Sequence, residues 1–417
     1  MADMSIAGLR GAALVLAAAL AITRPASAQH VPPPPAANAN CRNTGSFEVW
    51  LDGFRREARA NGISSATIAS ALGGMTLDPG IIARDRKQGF FAQTFTAFSS
   101  KLISQNRLQN GAARLKQHQA LLAKVEQQYG VPGPVIVAFW ALESDFGIGM
   151  GNLPVLRSLA TLAYDCRRSE LFRGELMDAL RIIDRGDLTP GDMIGSWAGE
   201  LGQTQFLPSH YLKHAVDYDG DGKRNLLKSV PDVVASTGAF IAYLGWQRGQ
   251  PWLEEVRVPA NLAWDQADLA IQHPRSKWAG WGVKQIDGRP LPSDALQASL
   301  LLPMGRFGPA FLAYPNFQVY LKWNQSLNYA VTAAHLAMRL AGAPAMSRGN
   351  GVVPELTGPE VKELQQLMTR RGFFSGEIDG KIGAATRAGV KQAQIKLGFP
   401  ADSYPTPELL ERLRGGR

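Results

Sequence analysis

Residues 129–147 read YGVPGPVIVAFWALESDFG, and the rest of the chain is best understood outward from them. From Pro134 to Leu142 the run PVIVAFWAL is apolar on every side. A helix that is apolar all round has no solvated face and is buried. Glu143 follows at its end, then Ser144, Asp145, Phe146 and Gly147. A carboxyl at the edge of such a helix loses solvation, and lost solvation raises its pKa. The raised pKa keeps a proton available near neutral pH, as a general acid requires. The competing reading is a glutamate at a solvated helix end, or one paired with an arginine. Structural carboxylates outnumber catalytic ones, so Glu143 alone does not decide between the two.

The context that shifts the balance lies downstream, in SWAGELGQTQFLP (196–208). Gly199 and Gly202 permit close backbone approach or unusual dihedral angles. Ser196, Gln203, Thr204 and Gln205 crowd hydroxyls and amides into one short stretch, and Trp197, Phe206 and Tyr211 add flat aromatic faces. Those are the groups that recognise a sugar polymer. The plainer alternative is a capping turn with a packed tryptophan. The expected arrangement is an acidic side chain facing a groove, with Ser196 and Gln205 beside it.

Further out, the chain has 417 residues, 45% hydrophobic and 19% charged, which excludes a mainly disordered, collagen-like or coiled-coil protein. The formal charge of +9 favours acidic partners without choosing among nucleic acid, anionic lipid and a carboxylate-bearing polymer. No RNA- or DNA-reading motif is visible, so nucleic acid is not expected. At the N-terminus, Arg10 precedes the apolar run Gly11–Ile22, which is too short to cross a bilayer and suits a signal-peptide core. Ala26-Ser27-Ala28 supplies small residues for cleavage after Ala28. Residues 1–28 are therefore expected to be a signal peptide, and the mature chain to be exported and periplasmic, without stable membrane insertion. Cys41 and Cys166 are the two cysteines, and in an oxidising compartment they are expected to form a disulfide.

Residues 29–43 contain Pro32 to Pro35 and read as a stiff Pro-rich linker. Residues 44–340 read as one large, mainly helical body, with a single short strand expected between Trp252 and Val258. The run AGAPAMSRGNGVVP (341–354) reads as a second linker. Residues 355–417 form a module of three short helices. Thr357 and Glu360 fit a capping box, Val361, Leu364, Leu367 and Met368 give an apolar stripe, and Pro407 suits a first helical turn.

Four stretches together carry a resemblance: 129–147, LATLAYDCRRSELFRGEL (159–176), GSWAGELGQTQFLPSHY (195–211) and NFQVYLKWNQSLNYA (316–330). With the order of the segments between them, residues 44–340 resemble lytic murein transglycosylases of the membrane-bound lytic transglycosylase B type. Residues 361–394 and 404–413 make the tail similar to the three-helix peptidoglycan-binding domain. The resemblance implies a mainly α fold: a lysozyme-like helical catalytic domain with a small three-helix C-terminal module. It also implies peptidoglycan glycan strands as the partner, no required cofactor, and no named protein partner.

The implied reaction is a non-hydrolytic cut between N-acetylmuramic acid and N-acetylglucosamine that leaves a 1,6-anhydro end. Glu143 matches the family's single catalytic glutamate. It would serve as acid and then as base, whereas ordinary glycosidases use two carboxyl groups. Ser196 and Gln205 match positions that orient the sugar N-acetyl group, and Gly202 is expected to let the loop approach substrate. Phe206, Asn324 and Tyr329 join the expected substrate-binding set. Trp323 stands where some members carry a tyrosine and Phe240 where a cleft tyrosine is expected, so each keeps an aromatic face without the hydroxyl. Glu200 stands where a small residue is common, and a second carboxyl there leaves a hydrolytic muramidase as an alternative. A non-catalytic wall-binding scaffold is another.

The loop Asp217-Tyr218-Asp219-Gly220-Asp221-Gly222-Lys223 has carboxylates at alternating positions and a glycine at the sixth, which suits calcium. Lys228 occupies the twelfth position, where a calcium loop carries glutamate. Some relatives use a later aspartate, and Asp232 is the candidate here. Paired Asp-Gly turns explain the same residues without a metal. His210 and His214 lack the glutamate of a zinc-protease motif, and no G-x-S-x-G elbow appears.

Overall fold

A computed structural model describes residues 43, 45–86 and 94–415. The expected signal peptide, its cleavage site, Cys41 and most of the Pro-rich linker lie outside the described residues. Among the described residues the chain is mainly helical, with seventeen α-helices and two sheets. No described helix is long and apolar enough to cross a membrane.

Two compact units interleave along the sequence. Among the described residues, one comprises 43, 45–86, 109–246 and 322–325, and the other 94–108, 247–321 and 326–415. In the first, Phe47–Ala60 begins on Ser46, whose hydroxyl accepts the Val49 N–H, and buries Phe47, Leu51, Phe54 and Ala58 as one stripe. At the heart of this unit is Gly133–Ser144, in which every residue except Pro134 is buried. The helices Gln119–Tyr129 and Val230–Tyr243 pack against it and against each other. A further group is formed by Val155–Tyr164 against Ser169–Asp184, which in turn holds Pro208–His214. A two-stranded ribbon pairs Leu153 with Gly195 and Pro154 with Ile194, so the segment after Glu143 meets the start of the 195–206 turn.

The second unit contains an antiparallel sheet in the order His273–Pro274, Gln297–Leu301, Ala310–Ala313, Leu253–Arg257, Lys284–Gln285. The strand expected near Trp252–Val258 is its fourth member. The other four were not expected, because strands of two to five residues are too short to show alternation. Val256, Trp264, Trp278, Leu300, Leu312 and Tyr314 form the core on one face, where the Trp278 indole N–H donates to Ala298 O at 2.9 Å.

The C-terminal helices Gly358–Arg370, Ala384–Leu397 and Pro407–Arg414 belong to the same unit. Their starts follow local signals: the Thr357–Glu360 capping box forms, and Thr406 caps the helix that Pro407 opens. Leu364, Met368, Phe374, Val390, Leu409 and Leu413 make their core. The 341–354 stretch is fastened to the sheet subdomain. The Ser347 N–H donates to Glu255 and the Asn350 N–H to Phe307 O. Arg387 donates to Leu302 O and Pro303 O, and Lys391 pairs with Asp268 at 2.9 Å.

Candidate active site

The helix Gly133–Ser144 delivers Glu143 to the interior with no exposed surface. Asp145, Phe146 and Gly147 then turn the chain sharply, with φ of 49°, 62° and 92°. Two consecutive non-glycine residues in this left-handed region are uncommon and cost energy, so surrounding contacts must hold them. A bracket around Gln203 does so. The Trp140 indole N–H donates to Gln203 Oε1 at 2.8 Å, the Ser144 hydroxyl donates to Gln203 O at 2.5 Å, and Gln203 Nε2 donates to Leu227 O at 2.9 Å. The Gly147 N–H closes the turn onto Ser144 Oγ at 2.8 Å.

Trp323 meets Glu143 from 180 positions further along the chain, its Nε1–H donating to Glu143 Oε1 at 2.8 Å. The indole stacks on Phe139 with centroids 4.2 Å apart and also packs on Phe206 and Phe240. Phe206, Phe240 and Trp323 are each 1% exposed or less. These three rings therefore do not form the open stacking platform expected of them. They enclose the carboxyl's hydrogen-bond donor. At position 323 an indole N–H serves Glu143 directly. The expected solvent-facing groove is likewise not seen at Glu143, because the carboxyl is fully covered.

The 195–206 turn is a compact hairpin in which Leu201 and Phe206 exchange both backbone hydrogen bonds. Gln205 sits at φ 53° and donates through Nε2 to Met150 O at 3.1 Å and Gly202 O at 2.9 Å. Its Oε1 is buried with no hydrogen-bond partner among the described residues, which leaves an acceptor unspent. Ser196 is different. Its oxygen accepts the N–H groups of Ala198 and Glu200 at 3.1 and 3.2 Å, and its proton goes to the Glu200 carboxyl. A hydroxyl has one donor and two lone pairs, so Ser196 has nothing left for a sugar in this conformation. Gly202 also departs from expectation. Its φ is 76°, and a Cβ there would lie 2.6 Å from Leu226 O, so its small size serves packing within the chain.

Residues 46–338 match the Transglycosylase SLT domain family. The chain belongs to that family. Residues 357–413 match the Putative peptidoglycan binding domain family. The chain is 33% identical over 251 residues to the membrane-bound lytic murein transglycosylase B of Escherichia coli, a match covering 58% of this chain and 66% of that protein. It is 43% identical to SltB3 from Pseudomonas aeruginosa, solved in complex with NAG-anhNAM-pentapeptide and with NAG-NAM-pentapeptide. That likeness has a TM-score of 0.83 and covers 89% of this chain and 100% of SltB3. The Escherichia coli lytic transglycosylase Slt35, solved in complex with calcium, is 28% identical, with a TM-score of 0.60 over 73% of this chain and 94% of that one. This SLT-family chain is thus homologous to lytic transglycosylases, which are peptidoglycan-cleaving lyases.

Within the first unit the SLT site brings together Glu143, Trp323, Phe206 and Phe240, with Gln205 adjoining Phe206. Asn324 follows Trp323 and is 2% exposed. Tyr329 belongs to the second unit, in the first turn of Leu327–Leu340, where its N–H meets the Ser326 cap. Two buried carboxyls accompany Glu143. Burial pushes Glu200 up to about 8, helped by the negative charges of Glu143 and Glu175 and opposed by Arg168. Burial pushes Glu175 up to about 7, although Ser209 serves both its oxygens, at 2.9 and 2.8 Å. Glu175 was missed in the sequence, where its helical position among ordinary charged residues carries no signal. Burial pushes His210 and His214 down to about 4, so both are neutral at neutral pH.

The carboxylates of Asp217, Asp219 and Asp221 converge, with ligand oxygens within 4.8 Å of one another. Backbone N–H groups of Gly220, Gly222 and Lys223 shape the loop around them. Asp232 stands outside this cluster. Its two oxygens accept the Tyr218 and Asn225 N–H groups, each at 2.7 Å, so it braces the loop from behind.

Proposed function

We propose that this chain cleaves the bond between N-acetylmuramic acid and N-acetylglucosamine in peptidoglycan, without water, leaving a 1,6-anhydro-muramic end. The observation that carries the reading is Glu143: a carboxyl removed from solvent that accepts the Trp323 indole N–H beside aromatic rings. Glu143 donates its proton to the glycosidic oxygen as the C1–O bond breaks, and the substrate's own N-acetyl group stabilises the positive charge at C1. The carboxylate then takes the proton from the C6 hydroxyl as that oxygen bonds to C1. One proton leaves and one returns, so no second carboxyl is required, unlike in ordinary glycosidases. The unspent Gln205 Oε1 is placed to accept an N–H or O–H from a sugar. Because Glu143 is fully covered, the side chains over it must move aside as the glycan strand enters.

The anhydro-sugar ligand of SltB3 supports the product class. The match to the Transglycosylase SLT domain family supports this reading over a hydrolytic one. On purified sacculi, Glu143→Gln is expected to remove soluble muropeptide release, by about 100-fold or more. The wild-type products should be one water lighter than reducing-end fragments. Reducing ends would overturn the mechanism.

The C-terminal module is read as the part that holds the enzyme on the cell wall. Export with cleavage after Ala28 and a Cys41–Cys166 disulfide complete the proposal. Supporting the disulfide, the Cys166 N–H donates to the Asn43 side chain at 2.9 Å, two residues beyond Cys41. The intact mass of the protein recovered from the cell envelope checks both: it should lack residues 1–28 and two hydrogens. A structural calcium ion in the 217–221 loop suits three converging carboxylates, whose mutual repulsion a hard cation relieves. Calcium should raise Tm in the wild type and have no effect on Asp219→Asn; an equal rise in both would remove the site from consideration.

A further inference from the structure

We propose that the cavity beside the strand Leu253–Arg257 and the helix Leu327–Leu340 binds a primary ammonium group carried on a short flexible chain. The cavity holds about 340 Å³ and is lined by Glu255, Gln285, Asp287, Arg289, His335 and Met338, among others. All of these residues lie in the second unit.

Two buried groups there have hydrogen-bonding capacity left over. Glu255 is 4% exposed and accepts the Ser347 N–H at 2.9 Å, yet it forms no ion pair with any described cation. Its neighbour Glu254 takes the Tyr314 hydroxyl at 2.5 Å and has Arg275 at 4.0 Å, so only Glu255 is left uncompensated. A buried carboxylate without a counter-charge is costly. His335 is 1% exposed, and neither ring nitrogen has a partner among the described residues. Burial pushes it down to about 4, so it is a neutral imidazole with one nitrogen free to accept. Ser347 serves Glu255 through both its hydroxyl and its N–H, so His335 is the group on this cavity left without a hydrogen-bond partner among the described residues, and Glu255 the one left without a counter-charge.

The chemistry of the lining selects its class. Arg289, the cation in the lining, pairs with Asp287 at 2.6 Å, and the charge of Arg339 reaches the cavity only from beside His335. The one group of carboxylates and imidazoles gathered tightly enough for a metal, among the described residues, is the Asp217–Asp221 cluster. What remains is the Glu255 carboxylate, which lines the cavity without a counter-charge, beside the unpartnered His335 imidazole. An ammonium group has three N–H donors and one positive charge. The proposal draws on the peptidoglycan reading only for the origin of such an amine, a diamino acid of a stem peptide.

Calorimetric titration of the full chain with 1,5-diaminopentane, and with 1-pentanol as the uncharged counterpart, tests this. We expect saturable diamine binding, no pentanol binding, and about tenfold or greater weakening in Glu255→Gln. In the wild type alone, the ring ¹⁵N resonances of His335 should shift with the same saturation curve, a readout that needs no variant. The absence of saturable diamine binding, equal affinity in Glu255→Gln, or equal binding of pentanol would each overturn the site. Muropeptide release is assayed separately. Failed diamine binding with normal release removes the cavity proposal alone, and failed release with normal diamine binding removes the glycan-cleavage reading alone.

Discussion

Glu143 and Glu255 are both buried carboxyls, one in each compact unit, and each accepts an N–H brought from far along the chain. Trp323 lies 180 positions from Glu143, and Ser347 lies 92 from Glu255. They differ in what surrounds the bond. Around the Trp323 indole are Phe139, Phe206 and Phe240, packed without an opening. Beside Glu255 are a cavity and an imidazole with no partner. Burial alone therefore does not assign a role. An indole N–H walled by rings holds the Glu143 carboxyl at a fixed position, which suits proton transfer. An unfilled polar cavity leaves a carboxyl that must find a partner, which suits binding.

The sharpest way to break this contrast is to remove the indole N–H while keeping its ring. Trp323→Phe should lower the rate of muropeptide release by about 10- to 100-fold, with a smaller change in the substrate concentration needed. It should also lower stability by about 1–3 kcal/mol, because a buried carboxyl oxygen loses its donor. If release is unaffected while stability falls, the indole only packs, and the account of how Glu143 is held fails.

The same contrast shows what was legible in the amino acids. The run 134–142 is apolar in every direction, so its burial follows from composition alone, whereas that of the glutamate at its end needed the downstream context. The C-terminal module was equally legible, because Thr357, Glu360, Thr406 and Pro407 act within one helical turn. The Trp323–Glu143 bond left no local trace, since it depends on a tertiary approach across 180 positions of the chain. The contacts of Ser196 within the chain were hidden for a related reason. A hydroxyl in a sugar-binding pattern reads as a ligand contact, but two backbone N–H groups and Glu200 consume its capacity within the turn itself. The sheet around Leu253–Arg257 was mostly hidden because its strands are too short to establish a period.

Glu200 separates the two kinds of burial most quietly, through pH. Its carboxyl rises from an ordinary 4.5 to about 8, chiefly from burial and then from the charges of Glu143 and Glu175. A carboxyl with a raised folded-state pKa binds its proton more tightly when folded. Its effect on stability is therefore neutral below about 4.5 and increasingly unfavourable as pH rises through the window to about 8. Glu200→Gln keeps an acceptor for the Ser196 hydroxyl and cannot ionise. Its Tm should match the wild type near the acid end of that window and exceed it progressively toward the alkaline end. The gain should be on the order of 2–4 °C for each kcal/mol recovered. Part of the wild-type slope should survive in the variant, because Glu175 is raised in the same direction. A Tm difference that is constant with pH would mean that Glu200 affects packing alone, and that its charge is not felt in the interior it shares with Glu143.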